Sequence, residues 1–325
     1  MVCSEVEACV VARRGQICLL IAVCLYGFTI VLMRYATYSH LGPLSFNAGR
    51  FFISAVVLVC VNYIWANAQA LSGATTAEEG ALWMWGTACG LLNFVASALL
   101  QIGLQTVNAN KAGFILGMYV IFVPALERAL GLRAQISSRA WMAVVLSVCG
   151  LYLLSGCAEA HICLGGGFGG GEAYCFVSML FWVVSLICAD MGSKRVDPIA
   201  LTMANFVVAA LLSALAACLL EPGRPLLRDL GQCWAVLLAV GVLQAGAFAL
   251  TTVGQRYSTP TETALLLSLE TVATCAVGYA VLGETLDAVE LGGCALMLAA
   301  TALATTDVVS VTGVTGEVEL LLPSA

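Results

Sequence analysis

An internal duplication runs through an almost continuously apolar chain. Leu25-Tyr26, Pro43 and Arg50-Phe51-Phe52-Ile53-Ser54-Ala55 have counterparts at Phe181-Trp182, Pro198 and Asn205-Phe206-Val207-Val208-Ala209-Ala210. Further along, Gly90-Leu91-Leu92-Asn93 reappears as Gly241-Val242-Leu243-Gln244, and Gly103-Leu104-Gln105 as Val253-Gly254-Gln255. Such a weak repeat in an apolar chain is the mark of membrane proteins assembled from structural repeats, whose solute sites lie between the repeats.

Hydrophobic residues make up 61% of the chain and charged residues 10%, and the mean hydropathy is +0.99. A soluble domain carries roughly 25% charged residues. A hydrocarbon core of about 30 Å needs about 20 apolar residues per helix. Runs of that kind occupy 16–33, 44–66, 82–104, 111–130, 139–157, 172–190, 197–220, 232–254, 261–282 and 288–306. They leave no room for a soluble domain, and they are too long and too uniform for the alternating strands of a membrane barrel. The expected fold class is all-α: a polytopic membrane protein of ten transmembrane helices in two inverted five-helix repeats. Its parts are a segment 1–15, a first repeat 16–157, a Gly-rich connection 158–171, a second repeat 172–306 and a tail 307–325.

The net charge of -6 comes with no basic cluster, so nothing points to nucleic acid. The 15 cysteines are scattered singly and form neither a CxxC nor a metal-spaced set with histidine; in apolar helices they serve as small polarizable packing residues. Cys157 and Cys163 share one connection and could pair in an oxidising compartment. Arg13-Arg14 ahead of an apolar run resembles a signal peptide, but the run from Ile17 to Met33 exceeds a usual h-region of about 7–15 residues. It also belongs to the repeat, so it reads as the first span.

With the N-terminus in the cytoplasm, Arg13, Arg14, Arg128, Arg133, Arg139, Lys194, Arg195 and Arg256 fall inside, against Arg34, Lys111, Arg224 and Arg228 outside. That asymmetry obeys the positive-inside rule. Five spans per half make the second half enter from the opposite side, so the copies are inverted and both termini are cytoplasmic. The host is either the plasma membrane or an organellar membrane.

Several stretches resemble a known family. The first half supplies Leu25-Tyr26-Gly27, Pro43 with Arg50-Phe51, Gln105-Thr106, Lys111-Ala112-Gly113-Phe114-Ile115, Gly117-Met118-Tyr119-Val120, Val123-Pro124 and Gly150-Leu151-Tyr152-Leu153-Leu154-Ser155. The second half supplies Gln255-Arg256-Tyr257-Ser258-Thr259-Pro260-Thr261-Glu262, Leu266-Leu267-Ser268-Leu269-Glu270 and Gly283-Glu284-Thr285-Leu286. Over nearly its whole length the chain resembles the ten-span drug/metabolite transporter superfamily, in its EamA-type branch. Two positions depart from the pattern: Thr271 stands where Pro usually follows the ninth-span Glu, and Gly131-Leu132 stands where a Gly-Glu pair would close the fourth span. The resemblance implies a transporter or exporter of small organic solutes with a central cavity between the halves.

Seven side chains are candidates for lining that cavity: Arg50, Asn93, Tyr119, Trp182, Asn205, Gln244 and Glu270. If the ninth helix starts at Pro260, Glu270 lies about 15 Å into a core about 30 Å thick. An acid at mid-membrane marks a cavity or a partner, through substrate or proton contact or through a structural hydrogen bond. Arg50 lies about 10 Å below Pro43 by the same rise. It either pairs with Glu270 or grips a carboxylate or phosphate with its planar fork. Its repeat counterpart Asn205 is neutral. Asn93 and Gln244 match one another and read either as solute ligands or as interhelical glue. Tyr26 matches Trp182 and Tyr119 matches Glu270, so aromatics either stack on a solute or fill the core. Gln105 and Gln255 read as helix caps, Lys111 as a snorkelling cation, and His40 and His161 fall in outer loops.

Gly165–Gly171 contains a G-x-G-x-x-G pattern with no strand before it, so it reads as a connection rather than a nucleotide site. No nucleophile–His–acid set, P-loop or metal cluster is present in the sequence, which points to neither enzyme nor ATP-driven pump, and no cofactor is expected. The expected function is secondary active transport of a small polar or amphipathic metabolite, such as an amino acid, amine or organic acid, by alternating access. Antiport of phosphorylated metabolites or nucleotide sugars is the alternative within the class, and a non-transporting scaffold or sensor the alternative outside it. The expected partners are a small-molecule substrate, the lipid bilayer, and protons or a counter-substrate; the oligomeric state is left open. Tag accessibility should place both termini on the cytoplasmic face and the 158–171 connection on the other. Termini on opposite faces would mean an odd number of spans and no inverted repeat.

Overall fold

In a hydrocarbon core every backbone N–H and C=O must find its partner within the protein, which restricts spanning segments to helices. The computed structural model describes residues 2–37, 42–71, 79–107, 109–132, 137–154, 169–221, 226–283 and 286–312, and among them there is no strand. The helices of the first half are α1 (Val2–Thr37), α2 (Pro43–Leu71), α3 (Glu79–Gly103), α4 (Ala109–Gly117), α5 (Tyr119–Ala129) and α6 (Ser138–Leu154). Those of the second half are α7 (Gly170–Ser193), α8 (Pro198–Leu220), α9 (Leu226–Gln255), α10 (Pro260–Ser268), α11 (Glu270–Leu282) and α12 (Ala288–Thr312). Eight spans are long and apolar enough to cross a membrane unaided, with α4–α5 and α10–α11 each counting as one; α6 and residues 288–304 of α12 are shorter apolar helices. Ten crossings result, and the second set of five is inverted relative to the first. His40, Cys157, His161, Cys163, Glu284 and the tail beyond residue 312 lie outside the described residues, as do residues 165–168 and the side chain of Lys111.

Local chemistry fixes the helix starts. The Asp197 carboxylate accepts from the N–H groups of Ile199 and Ala200, both at 3.0 Å, with Pro198 in the first turn of α8. Thr259 and Glu262 form a reciprocal capping box ahead of α10, again with Pro in the first turn. The start of α2 is capped by the other half of the molecule: Glu221, at the end of α8, accepts from the N–H groups of Leu44 and Ser45 at 3.0 Å. A carboxylate at a helix N-terminus satisfies orphan donors and the helix dipole together. At the far end of the same pair, Trp65 Nε1–H donates to Asp197 at 3.2 Å. The antiparallel helices α2 and α8 are thus tied at both ends. Gly131 and Gly283 close the fourth and ninth spans with the same left-handed φ of 68°, a backbone that favours glycine.

The packing repeats the symmetry of the sequence. α1 packs on α9 as α7 packs on α3; α2 packs on both α8 and α9, as α8 packs on α3; α6 packs on α12. Without water to drive apolar association, close approach through small residues holds these helices together. At the α6–α12 crossing, a side chain on Gly150 would meet the Gly293 carbonyl at 2.7 Å, and one on Gly293 would meet the Gly150 carbonyl at 2.6 Å. Gly150→Val should therefore push the two helices apart and destabilise the protein by about 1–3 kcal/mol, read as a lower melting temperature in detergent. An unchanged melting temperature would show that the crossing tolerates extra volume.

Candidate functional site

Four elements of the fold meet at two matching discontinuities. α4 and α10 are both nine residues long, and each is followed by a one-residue interruption before the helix resumes. At the first, Met118 has φ -61° and ψ -11°, and its N–H is shared between Phe114 O and Ile115 O, both at 3.3 Å. At the second, Leu269 has φ -65° and ψ -9°, and its N–H reaches Leu266 O at 3.1 Å. The Leu269 contact is a tight 3₁₀-type turn, and the bifurcated Met118 bond a partial one, inside otherwise α-helical spans. Ser268 Oγ–H, bonded to Leu265 O at 2.7 Å, competes for the local backbone at the second break. Pro124 removes a donor just after the first. The residues that open the two resumed helices are Tyr119 and Glu270.

Half-buried side chains cluster around these breaks and form the walls of a candidate chamber. Tyr26 of α1, Trp182 of α7 and Phe248 of α9 are half-buried, as are Tyr119 and Glu270. Tyr26 meets Phe248 edge-on with ring centroids 5.6 Å apart, and Trp182 tilts against the same ring at 6.0 Å. Tyr26 and Tyr119 each lie within electrostatic reach of Glu270. Thr251 Oγ1–H approaches the Tyr26 hydroxyl at 3.5 Å while donating to Ala247 O at 2.8 Å. Gln244, Phe248 and Thr251 share one face of α9, spaced four and then three residues apart. Gln244 is buried, and its Oε1 has no hydrogen-bond partner.

The two faces of the chamber differ. Let the N-terminal face be the one toward which the apolar part of α1 begins. There α5 packs on α10, and Val123, Ala264, Met179 and Val183 are buried between them and α7. The Thr261 hydroxyl donates to the buried Glu127 carboxylate at 2.5 Å, joining the halves at that seam. Gln255 Nε2–H donates across to Leu186 O at 3.1 Å. On the opposite face the matching pair, α4 and α11, makes no comparable contact among the described residues. Gln105, the counterpart of Gln255, is exposed there beside a pocket of about 440 Å³ bordered by Thr106, Glu172 and Tyr174. The two halves are thus joined through α5 and α10 at the N-terminal face.

Of the seven sequence candidates, Tyr119, Trp182 and Glu270 meet at the chamber, and Gln244 lies on the same α9 face as Phe248. Arg50, Asn93 and Asn205 belong to a separate buried ladder. Arg50 Nε–H donates to Asn47 Oδ1 at 2.8 Å, and Asn47 Nδ2–H donates to Ser97 O at 3.2 Å. Ser97 Oγ–H donates to Asn93 Oδ1 at 3.4 Å, and Asn93 Nδ2–H donates to Asn205 Oδ1 at 3.1 Å. The Arg50 guanidinium stacks 4.7 Å from the Phe51 ring and points one N–H at Met33 Sδ, 3.7 Å away. It does not pair with Glu270: a delocalised cation that finds an aromatic face and an amide oxygen is satisfied without a carboxylate. Gln105 and Gln255 are not helix caps.

Glu127, Asn47 and Ser97 are functional candidates that the sequence reading missed. Glu127 carried a usable signal, an acid inside the apolar run 111–130, masked by Arg128 beside it at the span's end. Asn47 and Ser97 carried none, because short polar residues are ordinary in membrane helices.

Comparison with known proteins follows the same outline. A profile of the EamA-like transporter family matches residues 13–156 and 169–306. An uncharacterized transporter of Archaeoglobus fulgidus is 25% identical over 276 residues, 85% of this chain and 80% of its own length. A second uncharacterized transporter of that organism is 27% identical over 215 residues, 66% of this chain and 73% of its own. A crystal structure of another protein superposes with a TM-score of 0.70 at 17% identity, over 90% of this chain and 98% of the other. It shares the fold.

Because Arg50 and Glu270 do not touch, their replacements should act independently. Arg50→Gln and Glu270→Gln should each shift stability by about 1–3 kcal/mol, and the double variant should equal their sum within about 0.5 kcal/mol. Recovery of stability in the double variant, measured by thermal denaturation, would contradict the separation of the two charges.

Proposed function

The chain belongs to the EamA-like transporter family, and on that premise we propose that it is a secondary active transporter of a small polar or amphipathic metabolite, working by alternating access. One observation carries this reading. The broken spans of the two inverted halves pack on each other through α5 and α10, with no comparable contact between α4 and α11 among the described residues, and Tyr119 and Glu270 open the resumed helices. Exchanging which pair is closed, α5–α10 or α4–α11, would present the same chamber to the other side of the membrane. Inverted repeats supply two such states of similar energy, because the contacts of one have counterparts in the other.

Each polar group then has a task. Glu270 loads and releases the coupling proton, and the Glu127–Thr261 contact holds the N-terminal face shut. The Lys/Arg asymmetry supports a cytoplasmic N-terminal face, and the reading includes an exporter or exchanger. Export of phosphorylated metabolites would call for cations in the chamber. Arg50 is engaged in the ladder outside it, which favours a substrate without phosphate.

Glu270→Gln should preserve exchange of labelled substrate across proteoliposomes and abolish accumulation driven by a pH gradient. A carboxamide keeps the shape and some of the hydrogen bonding but carries no exchangeable proton. Proton-driven accumulation at the wild-type rate in that variant would remove Glu270 from coupling.

A further inference from the structure

We infer that Cys89 and Cys188 are an oxidisable dithiol, a modification site at which a peroxide forms a reversible disulfide between the two halves of the molecule. Cys89 lies on α3 in the first half and Cys188 on α7 in the second, 99 positions apart, and the Cys89 S–H donates to the Cys188 sulfur at 3.4 Å. Disulfide sulfurs stand about 2.05 Å apart, so the thiols have about 1.4 Å to close. They already sit at the separation of a near-attack pair, about 3–3.5 Å. Cys24, Cys60, Cys149 and Cys218, by contrast, are exposed along four different helices, as packing residues in apolar spans are.

The seam between α3 and α7 holds the pair in register. Midway along it, Ser178 Oγ–H donates to Ala96 O at 2.7 Å. Toward the outer end, a side chain on Gly103 would meet Cys175 Sγ at 2.6 Å and Gly171 O at 3.0 Å. At the inner end, one on Gly192 would stand 3.4 Å from Trp85 Cβ. The helices are in contact from end to end, which fixes their rotation and keeps the two sulfurs facing each other. The environments of the two thiols differ. Cys89 is fully buried in a cluster with Val196 and Leu201, against Trp85, and the Arg195 guanidinium covers the Trp85 ring at 5.0 Å. Cys188 is half-buried, five residues before the end of α7 at Ser193, which is about 8 Å of helix from the N-terminal face. A small uncharged oxidant therefore meets Cys188 first, and Cys89 is the shielded partner that resolves the product.

The chemistry balances with hydrogen peroxide as the oxidant. The Cys188 sulfur, as thiolate, attacks one peroxide oxygen; the O–O bond breaks, and the leaving hydroxide with the Cys188 proton makes a first water. The Cys89 sulfur then attacks the Cys188 sulfenic sulfur. The S–S bond forms, the S–O bond breaks, and the departing hydroxide takes the Cys89 proton as a second water. Two electrons pass from two thiols to one peroxide. With the N-terminal face cytoplasmic, as the Lys/Arg asymmetry supports, cellular thiol systems hold the pair reduced, and the disulfide is a transient response to oxidant. The bond closes a loop that spans both repeats, which clamps the α3–α7 seam.

The test treats the full chain in detergent with hydrogen peroxide, blocks the remaining thiols after denaturation, and maps all 15 cysteines by peptide mass spectrometry. Cys89 and Cys188 should disappear from the blocked pool in equal measure, appear as one linked peptide, and return with dithiothreitol. In Cys89→Ser, Cys188 should stop at the sulfenic acid, captured by dimedone about tenfold or more above wild type, because the resolving thiol in contact is gone. In Cys188→Ser, Cys89 should stay reduced. Both variants are checked by size exclusion, and the wild-type mapping stands without them. Oxidation should also raise the melting temperature of the wild type but of neither variant. Cys89 and Cys188 both fully blocked when the exposed cysteines have been oxidised, either one linked to a different cysteine, or Cys188 oxidised with Cys89 left free would overturn the inference. A linked protein that melts no higher than the reduced one would overturn the clamp.

Discussion

Peptide groups that leave the helical hydrogen-bond ladder at mid-membrane persist only where protein or a water-filled cavity surrounds them. That constraint ties the breaks at Met118 and Leu269 to the rest of the architecture. A tight turn facing lipid would strand backbone groups in hydrocarbon, so each break is packed against a neighbouring span: α7 lies on α4 and α5, and α1 on α10 and α11. The same requirement places Glu270. Its carboxyl occupies the depth at which an ionisable group is least welcome, and it does so at the first residue of a resumed helix, where orphan backbone donors and the helix dipole favour an acid. Interrupted helices, central chamber and acid are one arrangement seen at three scales.

The two repeats share backbone and differ in chemistry. Tyr119 and Glu270 hold the same structural position, yet one is a neutral phenol and the other an acid. Arg50 and Asn205 are likewise matched, and so are Asn93 and Gln244. Arg50 and Asn93 of the first half are consumed in the ladder, Arg50 on Asn47 and Phe51 and Asn93 on Asn205 of the second half, while Gln244 of the second half keeps a free oxygen. A symmetric scaffold can rock between two mirrored states, while an asymmetric lining lets the solute bind in one orientation. The polar ladder through α2, α3 and α8 has a structural role: in hydrocarbon, interhelical hydrogen bonds contribute roughly 0.6–2 kcal/mol each and fix rotation about the helix axis.

Much of this was legible in the chain. The ten apolar runs determined an all-helical membrane protein, because hydrocarbon admits no other use of such lengths. Five runs per half determined inversion by parity alone. The repeat paired Tyr119 with Glu270 and Asn93 with Gln244, and depth counted from Pro260 singled out Glu270. What the sequence left open was how the helices rotate and which faces meet. Arg50 and Glu270 lie at similar depths on different spans, and depth says nothing about azimuth; only the packed bundle sends Arg50 toward Asn47 and Phe51 and away from the acid. Glu127 became a partner of Thr261 only when α5 and α10 closed on each other. Contact between α5 and α10 at one face belongs to the tertiary structure entirely, because inverted repeats carry counterparts of the same residues at both faces and their arrangement in space is what selects which pair meets.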